Sequence, residues 1–108
     1  MKSIQIKLRL IPFLSLFFIN LNHAQVQEWA NLKKYQAENQ SVKPMKNAVV
    51  LIGDSITEFW KTNSPDFFTQ YPLIDRGISG QTTSQMVVRF EQDVIALKPK
   101  TVVILAGI

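Results

Sequence analysis

An α/β fold, a parallel sheet with helices on both faces, is what this sequence predicts, and three observations carry the prediction. Short apolar runs rich in β-branched residues recur at Ala48–Ile52, Pro72–Ile74 and Thr101–Ala106. Helix-like patterns separate them. Glycine-bearing segments follow them: Gly53-Asp54-Ser55, Arg76–Gln81 and Ala106-Gly107-Ile108. Strand, helix, strand, helix, strand is the rhythm of a parallel sheet wrapped by helices. Sheets of that kind place ligands at the carboxyl ends of their strands.

The chain has 108 residues, room for one small domain. Its beginning reads as an export signal over residues 1–24. Lys2, Lys7 and Arg9 precede the apolar run Leu10–Leu21, and the small residue Ala24 follows. That run is about a dozen residues, whereas a membrane span needs roughly 20. The expectation is export, periplasmic or extracellular, with no stable span after cleavage. Cysteine is absent, so neither a disulfide nor a lipidated cysteine is expected. The signal also accounts for the charge. The chain carries +4, but without Lys2, Lys7 and Arg9 it has 9 basic against 8 acidic residues. A net +1 domain lacks the concentrated basic face that nucleic acid requires. About 84 residues then remain, and a chain this short buries only about 60–65% of its unfolded surface. It is expected to be marginal alone.

Residues 25–47 read as an N-terminal helix and linker. Val26–Asn39 is a polar helix with a narrow stripe of Trp29, Leu32 and Tyr35, suited to packing across the core. Gln40–Lys46 is a linker in which Pro44 stops any helix. Residues 48–108 form the domain proper. Ala48–Ile52 reads as a strand covered on both faces. Ile56 to about Lys61 is helical, Ser64-Pro65-Asp66 starts another turn, and Pro72–Ile74 opens the second strand. Thr82–Leu97 is the clearest helix, with Val87, Phe90, Val94 and Leu97 on one face. Thr82 with Gln85 fits a capping box, and Pro99 marks the end. "TVVILA" is the third strand. Repeats and low-complexity tracts are missing.

Ser55 stands at the first strand-to-helix corner. Ser55-Ile56-Thr57-Glu58 matches S-x-x-E, so the serine can be a simple helix cap. The same position also suits a nucleophile. At a helix start, backbone N–H groups and the positive dipole end stand ready to stabilise an oxyanion. Gly53 permits a tight turn, and Asp54 can fix that turn through its side chain. In the second loop Gly77 and Gly80 bracket Ile78-Ser79, and glycine there allows positive φ and close approach of a substrate. Arg76 is either a structural ion-pair partner or part of the entrance.

"GDSITEFW", "DRGISGQTTSQMVVRFEQDV" and "LKPKTVVILAGI" together resemble the opening blocks of the SGNH hydrolases, also called the GDSL esterase/lipase family. They resemble most closely the secreted bacterial acylhydrolases related to platelet-activating-factor acetylhydrolase. The resemblance covers roughly Ala48 to Ile108 and implies a three-layer α/β/α, flavodoxin-like fold, here truncated after the third strand. It implies that Ser55 attacks an ester carbonyl and that the backbone N–H groups of Ser55 and Gly80 bind the oxyanion. Neither metal nor cofactor is implied. The partner implied is a small-molecule ester, such as an acyl ester of a sugar or lipid. The family's third oxyanion donor, an asparagine, would come after Gly107-Ile108. Its Asp-x-x-His, carrying the base, would lie further on.

The residues agree that a base is wanting. The sole histidine is His23, beside the expected cleavage site. Lys61 and Asp54 are the remaining candidates, one on a polar turn and the other beside Ser55 in an extended backbone. Losing one oxyanion donor costs about 10²–10³ in a serine protease, and losing the base on the order of 10⁶. The expectation is an incomplete and almost inert portion of a longer esterase, with an uncovered third strand prone to edge pairing. A non-catalytic module holding an anion or carbohydrate between the glycine loops is the alternative. It predicts binding indifferent to Ser55→Ala. A nucleotide-binding α/β protein is disfavoured, since neither G-x-x-x-x-G-K-[ST] nor G-x-G-x-x-G occurs.

Overall fold

The computed structural model describes residues 20–107. Most of the expected export signal lies outside those residues. Among the described residues no helix is long and apolar enough to cross a membrane.

Three parallel strands form the sheet: β1 (Val49–Gly53), β2 (Leu73–Gly77) and β3 (Thr101–Leu105), in spatial order β2-β1-β3. The register pairs Gly53 with both Gly77 and Leu105, so the three carboxyl ends are level. With β1 in the middle, the order reverses between β1 and β3, where open sheets leave a crevice for ligands. Val50, Leu51 and Ile52 are all buried, as expected of a strand covered on both faces. β3 is different: Val103, Ile104 and Leu105 are exposed.

Alternation along the strands assigns the layers. Ala48, Val50, Ile52 and Ile74 pack with Met86 and Val94, so helix α5 (Thr83–Asp93) covers one face. Gly53 and Gly77 point the opposite way, towards helix α3 (Ser55–Asn63). Helix α4 (Pro65–Gln70) follows, opened by Pro65 at its first turn, and it buries Phe68. A proline is tolerated there because its missing N–H had no helical partner.

The N-terminal segment departs from expectation. A single helix over Val26–Asn39 is replaced by α1, helical over residues 20–29, a turn over residues 30–35, and α2 (Gln36–Ser41). Asn31 sits at the break with φ 52°. The cause is competition for carbonyls. Gln85, Gln81 and Gln92 donate side-chain amide N–H groups to the carbonyls of Trp29, Ala30 and Leu32 at 2.8, 2.7 and 2.6 Å. Bonds at that spacing hold the segment across the α5 side as a strap. Of the expected stripe, Tyr35 is buried whereas Trp29 is exposed.

Helix α5 and the turn after it present the expected face only in part: Phe90, Val94 and Leu97 pack on the core, but Val87 does not. Thr82 and Gln85 do form the capping box. The buried positions, however, are Met86, Arg89 and Asp93, and Val87 is 69% exposed. Hydrophobicity alone points elsewhere because Arg89 and Asp93 are charged. Paired at 3.2 Å, they satisfy one another and bury together. The helix ends at Asp93 rather than Leu97. A 3₁₀ turn, Ile95–Leu97, and left-handed Lys98 precede Pro99.

Candidate active site

Ser55 is the first residue of α3, directly beyond the central strand. It is not the cap. Asp54 takes that position, its Oδ1 accepting the Ile56 N–H at 2.9 Å. The S-x-x-E spacing therefore does not operate as a capping box here. Glu58 turns away and accepts from Ser79 N–H at 2.6 Å, from Ser79 Oγ at 2.5 Å, and from the Lys34 ammonium. Among the described residues, the Ser55 hydroxyl bonds to no protein group. It stands at the positive end of the helix dipole, where developing negative charge is stabilised.

The two glycine loops converge. A cleft of about 320 Å³ at the strand ends is lined by Asp54, Ser55, Gly80, Gln81, Thr82, Thr83 and Gly107. All three strand-end segments thus contribute to one hollow. Gly80 has φ 75°, a conformation that favours glycine, and a side chain there would meet nothing within 4 Å. Gly53 and Gly77 lie beneath the cleft in another role. A Cβ on Gly53 would come within 2.1 Å of Thr57 Oγ1, and one on Gly77 within 2.2 Å of the Glu58 nitrogen. Both have ordinary φ, so close approach of α3 to the sheet, rather than turning, is what demands glycine.

Beneath the loops a buried network ties their ends together. Arg89, fully buried, donates to Gln81 Oε1 at 2.6 Å, to the Gly53 carbonyl at 3.2 Å and to Asp93 at 3.2 Å. Burial pushes its guanidinium below the usual range, opposed by Asp93. The Ile78 N–H donates to the Gly53 carbonyl at 3.0 Å. Arg76 proves structural: fully buried, it lies 4.6 Å from the Tyr35 ring centre and bonds Asn39, Glu38 and its neighbour's carbonyl. Tyr35 Oη donates to the Gly77 carbonyl at 2.5 Å. Burial raises its phenol, reinforced by Asp75 and Glu58. Asp75 is raised by burial too, although it accepts the Gly77 N–H at 2.7 Å. For Glu58, partial burial works upward, but the Lys34 and Ser79 donors outweigh it and hold the carboxyl below the usual range.

Neither His23 nor Lys61 lines the cleft. His23 lies exposed on α1 with its Nε2 2.9 Å from the Gln27 amide nitrogen, and Lys61 lies in the last turn of α3, 4.0 Å from Glu38. A roomier groove of about 480 Å³ runs between α5 and β3, past Ile52, Met86, Val87, Phe90 and Ile104. Its lining is mainly apolar, with Thr83 and Glu91 as its polar members, whereas the smaller cleft joins a helix-start hydroxyl to all three strand ends and is the chemical candidate. The contacts by which Glu58, Ser79 and Arg89 brace the loops around the cleft are not legible in the sequence, because Ser79 lies 21 residues from Glu58, and Gln81 and Gly53 lie 8 and 36 from Arg89.

Sheet order and cleft together define a flavodoxin-like, three-layer α/β protein with a serine beyond its central strand. No family model matches the chain, and no curated protein does. Solved structures do. A "GDSL-like lipase" from Bacteroides thetaiotaomicron VPI-5482 is 46% identical with a TM-score of 0.71, covering 73% of this chain and 40% of its own. A "putative acylhydrolase" from Bacteroides fragilis NCTC 9343 is 50% identical with a TM-score of 0.70, covering 73% and 39%. The chain therefore spans about two fifths of either protein's length. Over the part that matches, it belongs to the SGNH, or GDSL, family of hydrolases.

Proposed function

We propose that this chain carries the nucleophile-bearing part of an exported serine ester hydrolase acting on small acyl esters of sugars or lipids. The observation that carries the reading is the placement of Ser55: its hydroxyl is unengaged, at a helix start, in one cleft with Gly80. In the proposed reaction Ser55 Oγ forms a bond to the ester carbonyl carbon and yields its proton to a base. The carbonyl oxygen becomes an oxyanion, held by the N–H groups of Ser55 and Gly80. Collapse breaks the bond to the alcohol, which leaves with the proton. Water then attacks the acyl-serine, releasing the acid and restoring the hydroxyl.

Among the described residues the cleft lining offers no histidine or lysine. The base and its orienting carboxylate are accordingly proposed to come from the Asp-x-x-His that the family resemblance implies, and a third oxyanion donor from an asparagine following Gly107-Ile108. The 108 residues alone are expected to turn over ester at a rate on the order of 10⁶ below the complete enzyme. Export is proposed from the basic-then-apolar pattern of residues 1–24.

The test is fluorophosphonate labelling of the complete gene product. Modification of the wild type that disappears in Ser55→Ala, with folding unchanged, is expected. Label persisting in that variant shows that another residue is the nucleophile. An unlabelled wild type whose ligand binding is indifferent to the substitution shows a binding module instead.

A further inference from the structure

Ser79 and Gly80 are the exposed part of the second loop, and the residues on either side are anchored. Ile78 is tied to the Gly53 carbonyl, and Gln81 to Ala30 and Arg89. Between these anchors the loop makes one further attachment. Ser79 gives both its N–H and its hydroxyl to the same oxygen of Glu58, at 2.6 and 2.5 Å. The other Glu58 oxygen takes the Lys34 ammonium, so the carboxylate itself is held. Glu58 stands three residues after Ser55, on the same side of the nucleophile's helix. The next N–H along the loop belongs to Gly80, which has no protein acceptor among the described residues.

We propose that Glu58 is a positioning residue, which sets the Gly80 N–H relative to Ser55 by gripping Ser79. The assignment rests on the esterase reading above and adds a residue to it. An alternative purpose, stability from the Lys34–Glu58 pair, is weak. That pair keeps about a quarter of each side chain in solvent, so screening discounts it, and it leaves the two bonds to Ser79 unaccounted for. Geometry is what the contact supplies. An oxyanion donor works only when pre-aimed at the site where charge develops, so slack in an exposed loop is lost rate. Charge-assisted bonds to a carboxylate are roughly twice as strong as neutral ones, which suits a single tether on a short loop.

The experiment is steady-state hydrolysis of p-nitrophenyl acetate by the complete gene product, with rates referred to the folded fraction from circular dichroism. Hydrogen exchange of the Ser79 amide is measured in parallel. Glu58→Ala is expected to lower kcat about 10- to 100-fold, less than the about 10²–10³ of a lost donor, with KM within about twofold. Exchange at Ser79 should accelerate at least about tenfold. Glu58→Gln keeps an oxygen acceptor and is expected to recover kcat to within about fivefold of wild type. If Glu58→Ala does not fold, Ser79→Ala, which removes the hydroxyl half of the grip, is read in its place and is expected to lower kcat with KM within about twofold. Glu58→Ala with lower thermal stability but wild-type kcat per folded molecule would overturn the assignment and leave a structural role. So would an unchanged Ser79 exchange rate. A wild type that neither turns over ester nor takes label overturns the esterase reading, and this assignment with it.

Discussion

Gly77→Ala tests how closely α3 rides on the sheet. A Cβ at residue 77 would lie 2.2 Å from the Glu58 nitrogen, 2.8 Å from its Cα and 2.8 Å from the Thr57 carbonyl carbon. All three are helix backbone, so no side chain can swing aside. Restoring ordinary contact at about 3.4 Å requires α3 to withdraw from β2 by roughly 1 Å. Overpacking of this kind costs about 1–3 kcal/mol. In a domain of this size 1 kcal/mol shifts Tm by about 4–8 °C, so a fall of roughly 4–24 °C is expected. Function should fall with it, because Ser55 is the first residue of the displaced helix and an error of about 1 Å can cost 10²-fold. Thermal unfolding by far-UV circular dichroism and fluorophosphonate labelling of the folded protein read the two effects. Gly80→Ala is the comparison: it meets nothing within 4 Å but strains φ 75°. There Gly80→Asn should be milder than alanine, since asparagine tolerates the left-handed region, whereas the steric block at residue 77 has no such remedy. A Tm for Gly77→Ala within about 1 °C of wild type would refute the close packing of α3 on β2.

Asp54→Ala removes the α3 cap and should cost about 0.5–2 kcal/mol in urea unfolding, whereas Asp54→Ser should recover most of that loss. Arg89→Met strands the fully buried Asp93 carboxylate and is expected to cost about 3–5 kcal/mol; adding Asp93→Leu should return part of it, which a double-mutant cycle will show. Glu58 has a depressed carboxyl, so its contribution is present above the unfolded pKa and lost as pH falls through the folded one. The stability of wild type over Glu58→Gln should therefore hold above the ordinary glutamate range and shrink as pH falls below it. Asp75 runs the other way: its raised carboxyl favours folding when protonated, so wild type should lose stability against Asp75→Asn as pH rises past the ordinary carboxylate range.

Local chemistry was readable where it acts over a few residues. The apolar run of β1 became the buried central strand because a continuous apolar stretch belongs in the interior of a parallel sheet. By contrast, β2 carries buried Asp75 and Arg76, and β3 pairs with β1 yet stays exposed. Thr82 and Gln85 formed their capping box because both partners lie within one turn. Ser55 fell at the corner beyond β1 because Gly53 and Asp54 end the strand and start the helix within two residues. The tertiary structure alone decided which of two equally good local choices was taken. Glu58 can close a capping box or reach Ser79, and only the packing of α3 on Gly77 puts Ser79 within reach. The segment before β1 can be one helix, and only the amides of Gln81, Gln85 and Gln92 draw its carbonyls away. Arg89 and Asp93 look like a solvated face until each supplies the other's countercharge in the interior. In the first two cases hydrogen-bond partners distant along the chain outcompeted local ones. Arg89 and Asp93 are only a turn apart, and there it is the surrounding interior, with Gln81 and the Gly53 carbonyl as further partners, that the fold supplies.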